Sequence, residues 1–182
     1  MKHLIVVTII SIAAALFAAP AHSVEVGVGV GGVSADLIKG GTGGSKSATE
    51  VYVKECVSMV CGKVSAYRVA EPMDDDAGIV PASGYTASLT GRVMKHGLIG
   101  YRYDDFGFRL QSAVVGLAAE NVEAAFLIPL ESNAGKGRVG FTANMRAPLT
   151  KSTAATFGFD WIGTEDPDIK VGKVMVGLSY RF

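Results

Sequence analysis

Cys56 and Cys61 are the two cysteines of the chain, separated by Val57-Ser58-Met59-Val60. Two thiols this close suit three chemistries. An oxidising compartment would join them as a disulfide. A reducing one would leave free thiols, and a metal would need further ligands. There is no second cysteine pair, and His96, the one histidine after residue 23, lies far along the chain. A disulfide is therefore expected first, free thiols next and a metal last. His96 is also the single imidazole on which a Ser-His-acid set could be built, and it falls in a predicted turn where a solvated side chain is expected. Asp74-Asp75-Asp76 could attract a divalent cation, but an acidic run in a loop is ordinarily just solvated. Gly40-Gly41-Thr42-Gly43-Gly44 lacks the Lys-Ser/Thr pair of a phosphate loop. No catalytic residue, cofactor or metal is expected. What remains is charge. Arg92, Arg102, Arg109, Arg138, Arg146 and Arg181 accompany Glu25, Asp104, Glu123 and Asp160. Arginine and carboxylate form bidentate pairs, whose worth depends on where the surrounding elements hold them.

Those elements read as strands. Residues 24–35 set Val24, Val26, Val28 and Val30 against Glu25, Gly27, Gly29 and Gly31. Residues 139–149 set Val139, Phe141, Ala143 and Met145 against Gly140, Thr142, Asn144 and Arg146. Residues 153–162 set Phe157, Phe159 and Trp161 against Thr156, Gly158 and Asp160. Similar runs cover 49–56, 61–69, 84–94, 98–103, 106–117, 122–130 and the segment from 169 to the end. In 106–117, Phe106, Phe108 and Leu110 oppose Arg109 and Gln111, and the pattern slips near 113–117, as at a bulge. A secreted β-sandwich also alternates. It would, however, turn Lys and Glu to bulk water, whereas these polar faces are mainly Gly, Ser, Thr, Asn and Arg, with most Lys in loops or near strand ends.

The two ends of the chain say what the faces meet. Residues 1–23 read as a secretory signal: Lys2 and His3 as a basic head, an apolar stretch from Leu4 to Phe17, and a small-residue exit at Ala21-His22-Ser23. The last strand points Val174, Val176, Leu178, Tyr180 and Phe182 one way, and Met175, Gly177, Ser179 and Arg181 the other. An exported chain ending in this pattern resembles the outer-membrane β-barrels of Gram-negative bacteria, in the size class of the OmpA transmembrane domain, OmpW and the Ail/Lom-type surface proteins. In those families a terminal Phe, with apolar or aromatic residues on alternate positions before it, is the assembly signal. The resemblance implies an all-β, antiparallel up-and-down transmembrane barrel over 24–182, after a cleaved signal peptide, in the bacterial outer membrane. It implies outer-membrane lipid and the barrel-assembly machinery as partners. Single-chain bacterial barrels have even strand numbers. Ten is favoured here, and eight follows if one weak hairpin lies outside the wall.

In that topology the chain ends and the short turns near 57–60, 95–97, 119–121 and 150–152 share one side. The loops 39–47, 71–83, 104–105, 131–137 and 164–168 share the other. The inward charges then form two layers. Glu25, Glu123, Arg92, Arg146 and Arg181 lie near the turns, and Asp104, Asp160, Arg102, Arg109 and Arg138 near the loops. Expected pairs are Glu123 with Arg146, Asp160 with Arg138, and Glu25 with Arg181 across the closing seam. Tyr101, Tyr103, Phe106, Phe108 and Trp161 are expected in one outward aromatic girdle, and Tyr180 and Phe182 in the other.

Formal charge is zero, which gives no electrostatic case for nucleic acid. No stretch after the signal approaches the ~20 apolar residues of a spanning helix. The function expected is non-enzymatic: a structural or surface-interaction barrel with a charged, largely filled lumen. The alternative is a narrow anion-preferring channel, from the arginine excess. Some barrels of this resemblance are enzymes acting on envelope lipids, but they imply a histidine near the outer rim, where this chain has none.

Overall fold

The structure is a computed structural model that describes residues 23–37, 44–70, 83–165 and 168–182. The signal reading of residues 1–22 and the Asp74-Asp75-Asp76 run lie outside the described residues. The alternating segments form ten strands: β1 Ser23–Leu37, β2 Gly44–Val57, β3 Val60–Val69, β4 Ser83–Val93, β5 Gly97–Asp105, β6 Arg109–Ala118, β7 Val122–Ser132, β8 Gly140–Pro148, β9 Thr153–Glu165 and β10 Asp168–Arg181. Each pairs antiparallel with its chain neighbour, and β1 pairs with β10 from Glu25↔Arg181 to Leu37↔Ile169, so the barrel closes. Closure leaves no unpaired edge. The segment expected at 98–103 is a full wall strand because Gly97, Asp104 and Asp105 also join its ladders. The count is ten.

One end carries Ser23, Phe182 and the tight turns at 58–59 and 94–96, the other the ends of the strands that those turns do not join. Ser58 and Met94 take positive φ, 55° and 58°, the conformation that lets a short turn match the strand twist. That is how the apolar segment Val57–Val60 turns without a glycine. The wall is uneven in height. β5 and β8 have 9 residues each. At ~3.3 Å per residue and ~40° tilt they rise about 23 Å, close to the ~25 Å apolar band of a membrane barrel. β9, β10, β1 and β2 have 13, 14, 15 and 14. They continue beyond the valines into small or polar outward residues such as Gly32, Ser34, Ser45 and Ser47. Strand pairing thus takes up Gly44–Ser47, part of the loop expected at 39–47.

Outward positions are apolar all round: Val28 and Val30, Val51, Leu89, Ile99, Val115 and Leu117, Phe126, Met145, Val176 and Leu178 are all exposed. Inward glycines accommodate aromatic rings. Tyr52 lies over its register partner Gly27, and Tyr67 over Gly84, so that a Cβ at either glycine would meet the ring.

The interior of the loop half is apolar. Val33, Tyr67, Val69, Leu110, Leu127, Ile162 and Val171 pack there with Phe106 and Phe108. The 106–108 loop folds inward, with the Phe106 amide donating to the Phe108 carbonyl at 3.0 Å and the Phe106 ring 5.3 Å from that of Tyr67. This corrects the girdle expectation for Phe106 and Phe108, which are 1% and 4% exposed. It also corrects Arg109, which faces outward with its side chain 66% exposed, 3.6 Å from Asp105. On β6 the inward residues are Leu110, Ser112, Val114 and Ala118. The bulge falls on β7, where Gln111 pairs Glu131 and Ser112 pairs Pro129, skipping Leu130. The physical reason is shared by all three: at this height the lumen is itself apolar, so apolar parity does not mark the outside.

Candidate functional site

The lumen below that apolar layer is where the charges meet. β5 and β9 turn Arg102 and Asp160 inward on opposite walls. Arg102 reaches Asp160 at 2.6 Å and, two residues along its own strand, Asp104 at 2.8 Å. Thr86 and Thr142, register partners of Asp104 and Asp160, donate their hydroxyls to them at 2.8 and 2.7 Å. Lys173 of β10 extends the chain of contacts, bonding Asp160 at 3.1 Å and Glu50 of β2 at 2.8 Å. Asp104 is fully buried, and Arg102, Lys173 and Glu50 nearly so. Removing charges from water costs several kcal/mol each, so such a cluster persists only with each group paired and hydrogen-bonded.

A second layer lies nearer the turns. Glu25 accepts from Arg181 at 3.3 Å across the seam and from the Tyr52 hydroxyl at 2.8 Å, and it forms an ion pair with Arg146 at 3.2 Å across the lumen. Lys54 of β2 reaches Glu123 of β7 at 2.9 Å. Arg92 donates to the Ala119 carbonyl at 3.2 Å. Of the three expected pairs, Glu25 and Arg181 do come together. Glu123 and Arg146 do not: Glu123 pairs in register with Asn144, and the two side chains take partners across the barrel instead. Asp160 and Arg138 do not either, because Arg138 sits at the loop end and donates to the Thr164 carbonyl at 3.3 Å. Arg109 takes no part.

Four inward residues of the site were missed from the sequence: Glu50, Lys54 and Lys63 on β2 and β3, and Lys173 on β10. Lysines were expected in loops or near strand ends. The signal was available in the alternation of Glu50, Tyr52 and Lys54 against Val51 and Val53.

A cavity of about 150 Å³ opens at the turn end, and a second of about 60 Å³ continues it toward Arg102, Asp160 and Lys173; Lys54, Cys61, Lys63, Glu123 and Asn144 line both. Cys56 and Cys61 form a disulfide between register partners at the rim of this opening. His96 is exposed in the 94–96 turn. Outside, Tyr101 is exposed and donates to Gln111, Trp161 is exposed, and Tyr180 and Phe182 pack edge to face at 4.9 Å. Among the described residues no cluster of metal-ligating side chains is found.

No protein-family model matches the chain. No curated protein matches it. Among solved structures it is similar to Ail, the attachment invasion locus protein of Yersinia pestis, in complex with the heparin analogue sucrose octasulfate, at 10% identity and a TM-score of 0.45 over 88% of this chain and 99% of Ail. A second Ail structure matches at 11% and 0.45 over 88% of this chain and 98% of that one. Neisserial surface protein A matches at 11% and 0.44 over 88% and 97%.

Proposed function

We propose that this chain is a non-enzymatic integral outer-membrane β-barrel protein with a structural or surface-interaction role and a lumen filled rather than conducting. The signal over residues 1–23 is cleaved, and the barrel-assembly machinery engages the final strand through Val174, Val176, Leu178, Tyr180 and Phe182. The observation that carries the reading is the pairing of a closed barrel with an outward Val/Leu/Phe belt. In water that belt would be an apolar patch far larger than a soluble monomer tolerates. In lipid it is the required surface. The inward Arg102, Asp160 and Lys173 cluster under the Phe106 and Phe108 layer supports a filled lumen. Partner contacts would fall to the loop end, whose rim carries Arg68, Arg109 and Lys136 beside Asp105, Glu131 and Glu165. Heat-modifiable migration on a gel, with recovery in the outer-membrane fraction, is the expected result. Recovery as a soluble periplasmic protein overturns the reading.

A narrow anion channel is the second reading, favoured by the cations around the turn-end cavity. Planar-bilayer conductance separates the two. Steps that shrink when Arg102 or Arg138 is neutralised support a channel, and silence of pure folded protein supports the filled lumen.

A further inference from the structure

Lys54 and Lys63 are register partners on the inward face of β2 and β3. Like charges directly opposite each other on one face of a sheet repel. Only one of the two is compensated at contact distance, Lys54 by Glu123 at 2.9 Å. Lys63 has one long hydrogen bond, to Asn144 Oδ1 at 3.4 Å, and lies 4.7 Å above the Tyr52 ring. An ammonium carries three donors. The carboxylate on the neighbouring part of β2, Glu50, is held by Lys173 at 2.8 Å. Glu25, lower down, already serves two guanidinium groups. Among the described charges lining the two cavities, with Asp104 behind Arg102, the six carboxylates Glu25, Glu50, Asp104, Glu120, Glu123 and Asp160 face the seven cations Lys54, Lys63, Arg92, Arg102, Arg146, Lys173 and Arg181, one cation in excess.

The space beside Lys63 is not filled by protein. It lines both cavities, at their junction. A volume of about 150 Å³ holds on the order of ten water-sized positions, enough for a small anion and its remaining shell. We propose that the turn-end cavity binds one small monovalent anion, of the chloride or simple carboxylate class, on Lys63 with Lys54 alongside. The anion would supply a charged acceptor beside the long bond from Lys63 to Asn144 Oδ1 and reduce the repulsion between the facing lysines. Such a site is entered and left from the turn end. It differs from a channel, because the apolar layer of Phe106, Leu110, Leu127 and Ile162 lies between it and the loop end.

The test uses the whole folded barrel in zwitterionic detergent and chloride as the probe, read by the excess linewidth of the chloride-35 NMR signal. Saturable broadening is expected, relieved by acetate if the site takes carboxylates and unmoved by acetate if it takes halide alone. Lys63→Met should weaken chloride binding by about tenfold or more, the value of a charge-assisted hydrogen bond, while Lys63→Arg keeps it. Heat-modifiable migration verifies that each variant is folded. No saturable broadening, or equal broadening in the folded Met variant, overturns the proposal. If Lys63→Met does not fold, crystals of the unaltered protein in sodium bromide decide. An anomalous peak in contact with Lys63 Nζ supports the site, and none there removes it. Because this readout needs only a folded barrel, its failure leaves the membrane reading standing.

Discussion

The two halves of the lumen solve the same packing problem differently. Toward the loops, Phe106, Phe108, Leu110, Leu127, Ile162 and Val33 fill the barrel as a protein core does. Toward the turns, the space is spanned by long charged side chains reaching across it, Lys54 to Glu123 and Arg146 to Glu25, with a cavity left among them. An apolar filling needs no partners but must fit closely. Charged struts tolerate gaps and water, but each needs its counter-charge. The barrel thus places its close-fitting layer where the loops join and its adjustable, wettable layer where the tight turns join. The mid-barrel cluster of Arg102, Asp104, Asp160, Lys173 and Glu50 lies at the boundary, with the burial of the first layer and the chemistry of the second.

That contrast can be broken in order of severity. Arg102→Leu should have the largest effect, about 3–5 kcal/mol, because it leaves Asp104 and Asp160 buried without their guanidinium. Urea unfolding in detergent micelles, followed by gel migration, measures it. Adding Asp104→Asn should recover part of the loss, since one stranded charge goes with it. Leu127→Ala comes next: it opens a void in the apolar layer and should cost about 2–4 kcal/mol in the same assay. Cys56→Ser with Cys61→Ser should cost about 2 kcal/mol, the chain-entropy value for so short a loop. Reducing agent should lower the stability of the unaltered protein to the level of that variant and leave the variant unmoved. Arg181→Ala should have the smallest effect, about 0–1 kcal/mol, since its side chain is 45% exposed and solvent screens its bond to Glu25. An Arg181 loss as large as that of Arg102 would erase the distinction between a buried and a solvated layer.

The sequence made the wall legible because outward-facing and lumen-facing residues of a barrel strand alternate, and in β1, β4, β7, β8, β9 and β10 the greasy parity is the outward one. The disulfide was legible because Cys56 and Cys61 flank a turn too short to place them anywhere but opposite each other. Parity misled at the 106–108 loop and the start of β6, where Phe106, Phe108 and Leu110 face a lumen as apolar as the exterior. The Glu25 and Arg181 pair could be anticipated because neighbouring strands hold it. Lys54 with Glu123, and Arg146 with Glu25, could not, because they bridge strands that are not neighbours. Their choice depends on the bore of the closed barrel and the reach of each side chain rather than on register.

The central claim is that Val28, Val176 and Leu178 face lipid while Lys63, Lys173 and Ser179 face the enclosed interior. Spin labels placed singly at these positions, in the Cys56→Ser, Cys61→Ser background and in reconstituted bilayers, test it by collision with oxygen and with a water-soluble nickel chelate. The account predicts strong relaxation by oxygen and little by the chelate at 28, 176 and 178, with oxygen access falling at 63, 173 and 179. Labels at 28, 176 and 178 that collide freely with the chelate, or no alternation along β10, would contradict it.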